Sequence, residues 1–232
     1  MLFDNYYIKG CIGGMTGIIL SHPIDSIKTH YQTNNLKYKF TLFNLYRGLT
    51  APLIGVGIEK AIVFGTYNYF KDSYGIPLSG AISGLAASLV VSPYERIKIM
   101  RQTKQSINFS PKFLFKGLSA TFTREVPGFA IYFSTYETLK DNFYTKQNKN
   151  ISIPASFIFG GLSGTMAWIF IYPQDRIKTI IQSNKTNEPI INIIKKTYKS
   201  GSLYSGFSFA IMRAILLHSG TFSMMEFINC VM

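Results

Sequence analysis

Three prolines open the same short string. Pro23-Ile24-Asp25-Ser26-Ile27-Lys28, Pro93-Tyr94-Glu95-Arg96-Ile97-Lys98 and Pro173-Gln174-Asp175-Arg176-Ile177-Lys178 each set an acid two residues after the proline and a lysine five after it. Each runs on to a glutamine nine residues after the proline: Gln32, Gln102 and Gln182. One such string is weak evidence of anything. Three, with the glutamine at one fixed offset, require an internal repeat, and a repeat constrains the fold more than any local propensity. The register continues upstream, where Gly14, Gly84 and Gly164 stand nine residues before the prolines and Gly10, Gly80 and Gly160 four residues earlier still. Downstream come the triplets Tyr46-Arg47-Gly48, Phe115-Lys116-Gly117 and Tyr204-Ser205-Gly206, and twenty residues after each closing glycine stand Asn68, Glu137 and Glu226.

Each unit reads as helix, short connection, helix, with the units at residues 1–75, 76–150 and 151–232. The first helices are predicted at 5–33, 76–104 and 153–184, the second at 49–72, 118–143 and 206–230, with linkers at Ser73–Pro77 and Tyr144–Ser152. Each helix is long enough for a bilayer core, which takes about 20 residues. The paired glycines put a small-residue stripe on one face, where a neighbouring backbone can approach. A soluble helical repeat is a poor alternative, because glycine costs about 1 kcal/mol in a soluble helix.

Composition agrees. Only 15% of residues are charged, against 47% hydrophobic, where a soluble domain carries about 25% charge. The net charge of +13 is spread at intervals through apolar stretches rather than gathered in one stripe. That pattern argues against a nucleic-acid partner and for an anion pathway beside acidic lipid headgroups. Two cysteines, Cys11 and Cys230, form neither a metal spacing nor a disulfide framework. No nucleophile triad, phosphate loop or metal motif is present, so neither an enzyme nor a cofactor is expected. The first residues carry neither a signal peptide nor an Arg/Ser-rich presequence, so targeting is expected from within the chain.

The triplicated Pro-x-Asp/Glu-x-x-Lys string, its trailing glutamine and the aromatic-basic-Gly triplet resemble the mitochondrial carrier family over essentially the whole chain. The Asn, Lys, Ile and Tyr bias and short connections also resemble carrier homologues encoded by giant DNA viruses, with a host mitochondrion as the destination. The resemblance implies an all-α membrane protein of six transmembrane helices in a pseudo-threefold barrel, monomeric, in the mitochondrial inner membrane, with both termini toward the intermembrane space. It implies exchange of a small anionic metabolite by alternating access, with cardiolipin as a lipid partner. A non-transporting scaffold or receptor on the same fold is the alternative. The matrix-side helices are expected to be shortened, because only Thr33–Leu45 and Thr103–Leu114 separate glutamine from triplet in the first two units.

Prolines at 23, 93 and 173 should end or kink their helices. Asp25, Lys28 and Gln32 share one helix face by spacing. The family pairing implies a matrix gate of Asp25 with Lys98, Glu95 with Lys178 and Asp175 with Lys28, braced by Gln32, Gln102 and Gln182. It implies a cytoplasmic gate from Tyr67-Asn68-Tyr69-Phe70-Lys71, Tyr136-Glu137-Thr138-Leu139-Lys140 and Met225-Glu226-Phe227-Ile228-Asn229. There Glu226 with Lys71 is the one ionic pair, while Asn68 bonds Lys140 and Asn229 bonds Glu137. So reduced a gate should favour the cytoplasm-open state. Family contact points thirteen residues before the acid positions fall on Gly55, Arg124 and Arg213, with Glu59, Lys60 and Glu125 beside them. Arginine suits carboxylate or phosphate through its planar fork, and an intramembrane arginine is functional by default. Glu125 beside Arg124 resembles carriers of solutes with both amine and carboxylate, while two arginines and Lys60 would also suit a nucleotide. His22 and His30 are expected to pack rather than relay protons.

Overall fold

The computed structural model describes residues 5–32, 41–46, 48–102, 110–115, 118–147, 149–183, 190–204 and 206–231. Among these there is no strand. The helices are α1 (Tyr6–Gln32), α2 (Leu42–Leu45), α3 (Thr50–Gln102), α4 (Pro111–Leu114), α5 (Leu118–Phe143), α6 (Ile153–Ser183), α7 (Ile190–Lys199) and α8 (Phe207–Val231). Short 3-10 turns lie at Thr145–Gln147 and Ser202–Tyr204. The long helices match the predicted spans, with one correction. The linker expected at Ser73–Pro77 is no loop: α3 breaks only at Gly75, whose φ of 73° and ψ of 174° suit a residue without a Cβ. This hinge divides α3 into a first limb (50–74) and a second (76–102). The prolines at 23, 93 and 173 do not end their helices, which run on to Gln32, Gln102 and Ser183. The connecting helices are short as expected, four residues in α2 and α4 and ten in α7.

The paired glycines set how the helices meet. A Cβ at Gly10, Gly80 or Gly160 would lie 2.5, 2.7 or 2.6 Å from the carbonyl oxygen of Lys60, Phe129 or His218. Those three residues stand at one register, eight before Asn68, Glu137 and Glu226. One turn further along, Gly14, Gly84 and Gly164 press on Lys60, Glu125 and His218. Thus α1 meets the first limb of α3, the second limb meets α5, and α6 meets α8, all through the same glycine face. A second stripe, Gly13 and Gly17, seats α1 against Thr221 and Leu217 of α8. Contacts between long helices run α1 to α3, α3 to α5, α5 to α6, α6 to α8 and α8 back to α1.

Beside an aromatic core, several small polar residues are buried and many large apolar ones are exposed. Ser79, Ser83, Ser88, Ser156 and Ser163 are buried, whereas Leu78, Leu85, Leu89, Ile158, Leu162 and Phe170 are exposed. Two of these hydroxyls are satisfied within their own helix, Ser83 Oγ donating to Gly80 O and Ser88 Oγ to Gly84 O, each at 2.7 Å, and Ser156 Oγ meets Tyr136 Oη of α5 at 3.2 Å. Large apolar side chains facing outward in helical register suit hydrocarbon. Among the described residues, three stretches are long and apolar enough to cross a membrane: Pro52–Tyr94, Ile153–Ile177 and Ser202–Val231.

Candidate functional site

The second helix of each unit, namely the first limb of α3, α5 and α8, runs from the end that carries the prolines (the proline end) to the end that carries Tyr67 and Tyr136 (the tyrosine end). Four residues before each acid position stands a phenylalanine: Phe64, Phe133 and Phe222. All three are buried and meet near the middle of the molecule. Phe64 meets Phe133 and Phe222 edge to face, at 5.3 and 5.5 Å between centroids. Tyr67 stacks flat on Phe133 at 3.7 Å, and Tyr136 on Phe222 at 3.5 Å. These rings fill the tyrosine end. The expectation of a weakly closed cytoplasmic side rests on ion pairs alone. Stacked aromatic rings add contact at this end, where the charges are few.

The polar contacts there also differ from the implied pairing. Lys71 Nζ lies 2.8 Å from Glu137 Oε1, rather than on Glu226. Glu137 also accepts from Tyr67 Oη at 3.2 Å. Asn229 does not bond Glu137: its Oδ1 accepts from Lys9 Nζ at 2.7 Å, and its Nδ2 donates to Glu226 Oε2 at 3.4 Å. The physical reason is proximity: the first limb of α3 and α5 are neighbours here, and Tyr67, stacked on Phe133, holds Glu137 within reach of Lys71. Asn68 and Lys140 line a small cavity of about 100 Å³ with these groups.

Between the phenylalanine layer and the proline end lies a cavity of about 310 Å³. All six expected binding residues, Gly55, Glu59, Lys60, Arg124, Glu125 and Arg213, line it. Arg124 forms an ion pair with Glu125, its Nε donating at 2.9 Å, and its Nη1 reaches Asp175 Oδ1 at 3.4 Å. Arg213 Nε donates to Asp25 Oδ2 at 2.9 Å. Lys60 Nζ lies 3.6 Å from Glu59 Oε1 and over the rings of Phe129 and Tyr132, at 4.7 and 5.5 Å. Gly55 gives space rather than chemistry, since a Cβ there would fall 2.8 Å from the Tyr94 ring. Each cation of the cavity is therefore matched by a carboxylate. A lone buried charge would be far more costly than such a pair.

The arginines tie this cavity to two acids of the proline strings, Asp25 and Asp175. The side chains of Lys28, Gln32, His30, Glu95, Lys98, Gln102, Lys178 and Gln182 lie outside the described residues. His22 packs as expected, with Nδ1 2.8 Å from Leu45 O and its ring stacked on Tyr46. Among the described residues no His, Cys, Asp or Glu cluster could hold a metal ion.

Sequence reasoning misses the three phenylalanines, although their fixed offset from the acid positions is a signal that could find them. Lys9, Tyr132 and His218 carry no repeat signal, because each stands alone at its register.

Residues 108–147 and 149–232 match the sequence profile of the family described as "Mitochondrial carrier protein". Mitochondrial substrate carrier family protein S of Dictyostelium discoideum is 30% identical, over 95% of both chains. The mitochondrial arginine transporter of Arabidopsis thaliana is 27% identical over 95% of this chain and 88% of its own. The mitochondrial carnitine carrier of Saccharomyces cerevisiae is 27% identical over 93% of this chain and 84% of its own. The viral likeness gains no support from these cellular relatives.

Proposed function

The chain belongs to the mitochondrial carrier family, whose members are membrane transporters and not enzymes, and on that premise we propose that it exchanges a small amine-carboxylate solute, of the amino-acid class, across the mitochondrial inner membrane. The observation that carries this reading is the Arg124–Glu125 pair in the cavity wall. With Asp175 on the same guanidinium, Asp25 on Arg213 and Glu59 beside Lys60, the site offers both signs of charge at close quarters. A zwitterion can take over both partners of such a pair. A nucleotide polyphosphate would have to expel several carboxylates, so the nucleotide class fits less well. Two of the relatives are named for arginine and carnitine, and each of those solutes joins a nitrogen cation to a carboxylate.

The mechanism follows from what the arginines hold. Cargo charges that compete with the ion pairs of Arg213 and Arg124 loosen Asp25 or Asp175. The released acids become available to lysines of the proline strings, through the expected pairs Asp25–Lys98, Glu95–Lys178 and Asp175–Lys28. Closure at the proline end would then be driven by cargo, since a ligand shifts a two-state equilibrium only by its differential affinity. Opening at the tyrosine end would separate the phenylalanine layer. Six membrane-spanning helices in pseudo-threefold order, a monomeric state and cardiolipin contact near the proline end complete the reading. The glycine faces repeated in all three units and the exposed apolar belt support it.

The test is counter-exchange in proteoliposomes with a panel of amino acids, carnitine, dicarboxylates and nucleotides. Exchange of an amine-carboxylate solute, lost in Arg124→Ala and strongly reduced in Glu125→Gln, is expected. Exchange of nucleotides or dicarboxylates alone, or of nothing in the panel, would overturn it.

A further inference from the structure

Two buried polar atoms of cavity-lining residues have no partner. Tyr132 is 1% exposed and His218 7%, yet the Tyr132 hydroxyl and His218 Nδ1 make no hydrogen bond. The two rings lie 4.8 Å apart, and both residues line the cavity. The Cδ2 edge of His218 is pressed against Gly164 of α6. Lys60, whose side chain is 3% exposed, brings its ammonium over the Tyr132 ring and has a long contact to Glu59. Buried polar groups are almost always satisfied, and an orphan needs a reason. Phenylalanine and leucine would fill these places without that penalty.

The three side chains adjoin one another, and all carry donors. The ammonium has three N–H groups, the phenol one O–H and the imidazole one N–H; the acceptors are the phenol oxygen, one imidazole nitrogen and Glu59, 3.6 Å from the ammonium. That inventory suits a ligand rich in lone pairs and poor in protons. Lys60 and His218 stand five residues beyond Gly55 and Arg213 along their helices, about 7.5 Å nearer the tyrosine end. The cluster is thus the inner end of the cavity, beneath the phenylalanine layer and apart from the two arginines.

We propose that Lys60, Tyr132 and His218 form a carboxylate-binding subsite at the inner end of the cavity, so that cargo enters from the proline end with its carboxylate foremost and its amine toward Glu125. The proposal rests on the cavity being the transport site. It adds a direction to the cargo and assigns recognition to two residues outside the family contact points. Binding there also sets the cargo's charge against the underside of the phenylalanine layer, where opening toward the other side must begin.

The experiment measures ligand-induced thermal stabilisation of the detergent-solubilised protein, with arginine and arginine amide as probes, alongside counter-exchange. Wild type should be stabilised by arginine at concentrations about tenfold or more below those needed for the amide, because a hydrogen bond to a charged group is worth about that factor. Tyr132→Phe and His218→Leu should bring the two probes close together by weakening arginine and leaving the amide unchanged. Tyr132→Phe removes one oxygen and no packing volume, so the unliganded protein should melt no lower than wild type. If both variants keep the full preference while Arg213→Lys loses it, the carboxylate sits on the arginines and the subsite is wrong, though the transport reading stands. If neither probe stabilises wild type and no amine-carboxylate solute exchanges, the transport reading itself fails and the subsite falls with it.

Discussion

Lys71→Met isolates the ionic part of the closure at the tyrosine end. Methionine keeps much of the apolar stem but leaves Glu137, which is 9% exposed, with the Tyr67 hydroxyl and no cation. At the observed 2.8 Å the gross attraction is about 6 kcal/mol for an effective dielectric constant near 20. Most of that is offset by desolvation, and the Lys71 side chain is 34% exposed, so solvent screens it further. A net loss of about 1–2 kcal/mol remains, which raises the open population by about 5- to 30-fold. The readout is labelling of Gly128→Cys by an impermeant maleimide, with Cys11 and Cys230 changed to serine. Gly128 lines the cavity, and a Cβ there meets only Ile171, at 3.5 Å, so the probe residue fits. In vesicles with the tyrosine end outward, Lys71→Met should speed labelling by that factor. Glu137→Gln alone should act similarly, and the pair together should fall short of the product. Unchanged labelling in Lys71→Met, with Phe222→Ala labelling fast, would refute an ionic contribution and leave the rings as the whole barrier.

Tyr67→Phe removes the 3.2 Å hydrogen bond to Glu137 but keeps the stack on Phe133. It should speed the same labelling by about fivefold, the worth of about 1 kcal/mol. Gly17→Ala sets a methyl group against the backbone carbonyl of Leu217. Forcing α1 from α8 should cost about 1–3 kcal/mol, visible as a lower melting temperature in detergent. Arg213→Lys keeps a charge near Asp25 but loses the planar fork. It should raise the exchange KM by about tenfold with little change in melting temperature, and an unchanged KM would remove Arg213 from cargo contact.

The repeat makes most of the helical layout legible, because the glycine positions are fixed by backbone contacts that recur in every unit. Gly10, Gly80 and Gly160 read as one feature since each meets a carbonyl at the same register. The break between the first two units is harder: Gly75 can turn the chain alone, and nothing in Ser73–Pro77 distinguishes a one-residue hinge from a loop. The cavity residues Arg124, Glu125 and Arg213 are visible as charges inside apolar helices. The partners of the two arginines across the cavity are not, because Asp25 and Asp175 belong to other helices and symmetry assigns them to lysines. The same reliance on symmetry misdirects Lys71, which takes the carboxylate nearest across one helix boundary instead of the one that threefold order would supply.

Departures from symmetry are where the cargo should be read. A threefold layer presents the same group three times, and an amine-carboxylate solute has two unlike ends that such a layer cannot tell apart. The phenylalanine layer keeps the threefold pattern, as a barrier that treats all helices alike should. The layer eight residues before the acid positions does not: it carries Lys60, Phe129 and His218. The layer thirteen before carries Gly55, Arg124 and Arg213, with Gly55 given over to Tyr94. Cation, ring and imidazole in one layer, and space beside two guanidinium groups in the other, make the cavity lopsided in both charge and volume. Restoring symmetry should therefore harm recognition more than closure. Gly55→Arg, which copies the residue at its two counterparts, must displace the Tyr94 ring and adds a third guanidinium to a site whose cations are already matched. It should shift preference from amine-carboxylate cargo toward dianions in the proteoliposome panel, while leaving maleimide access through the phenylalanine layer unchanged. A variant that kept the wild-type preference would mean that the asymmetry of this layer is incidental to cargo choice.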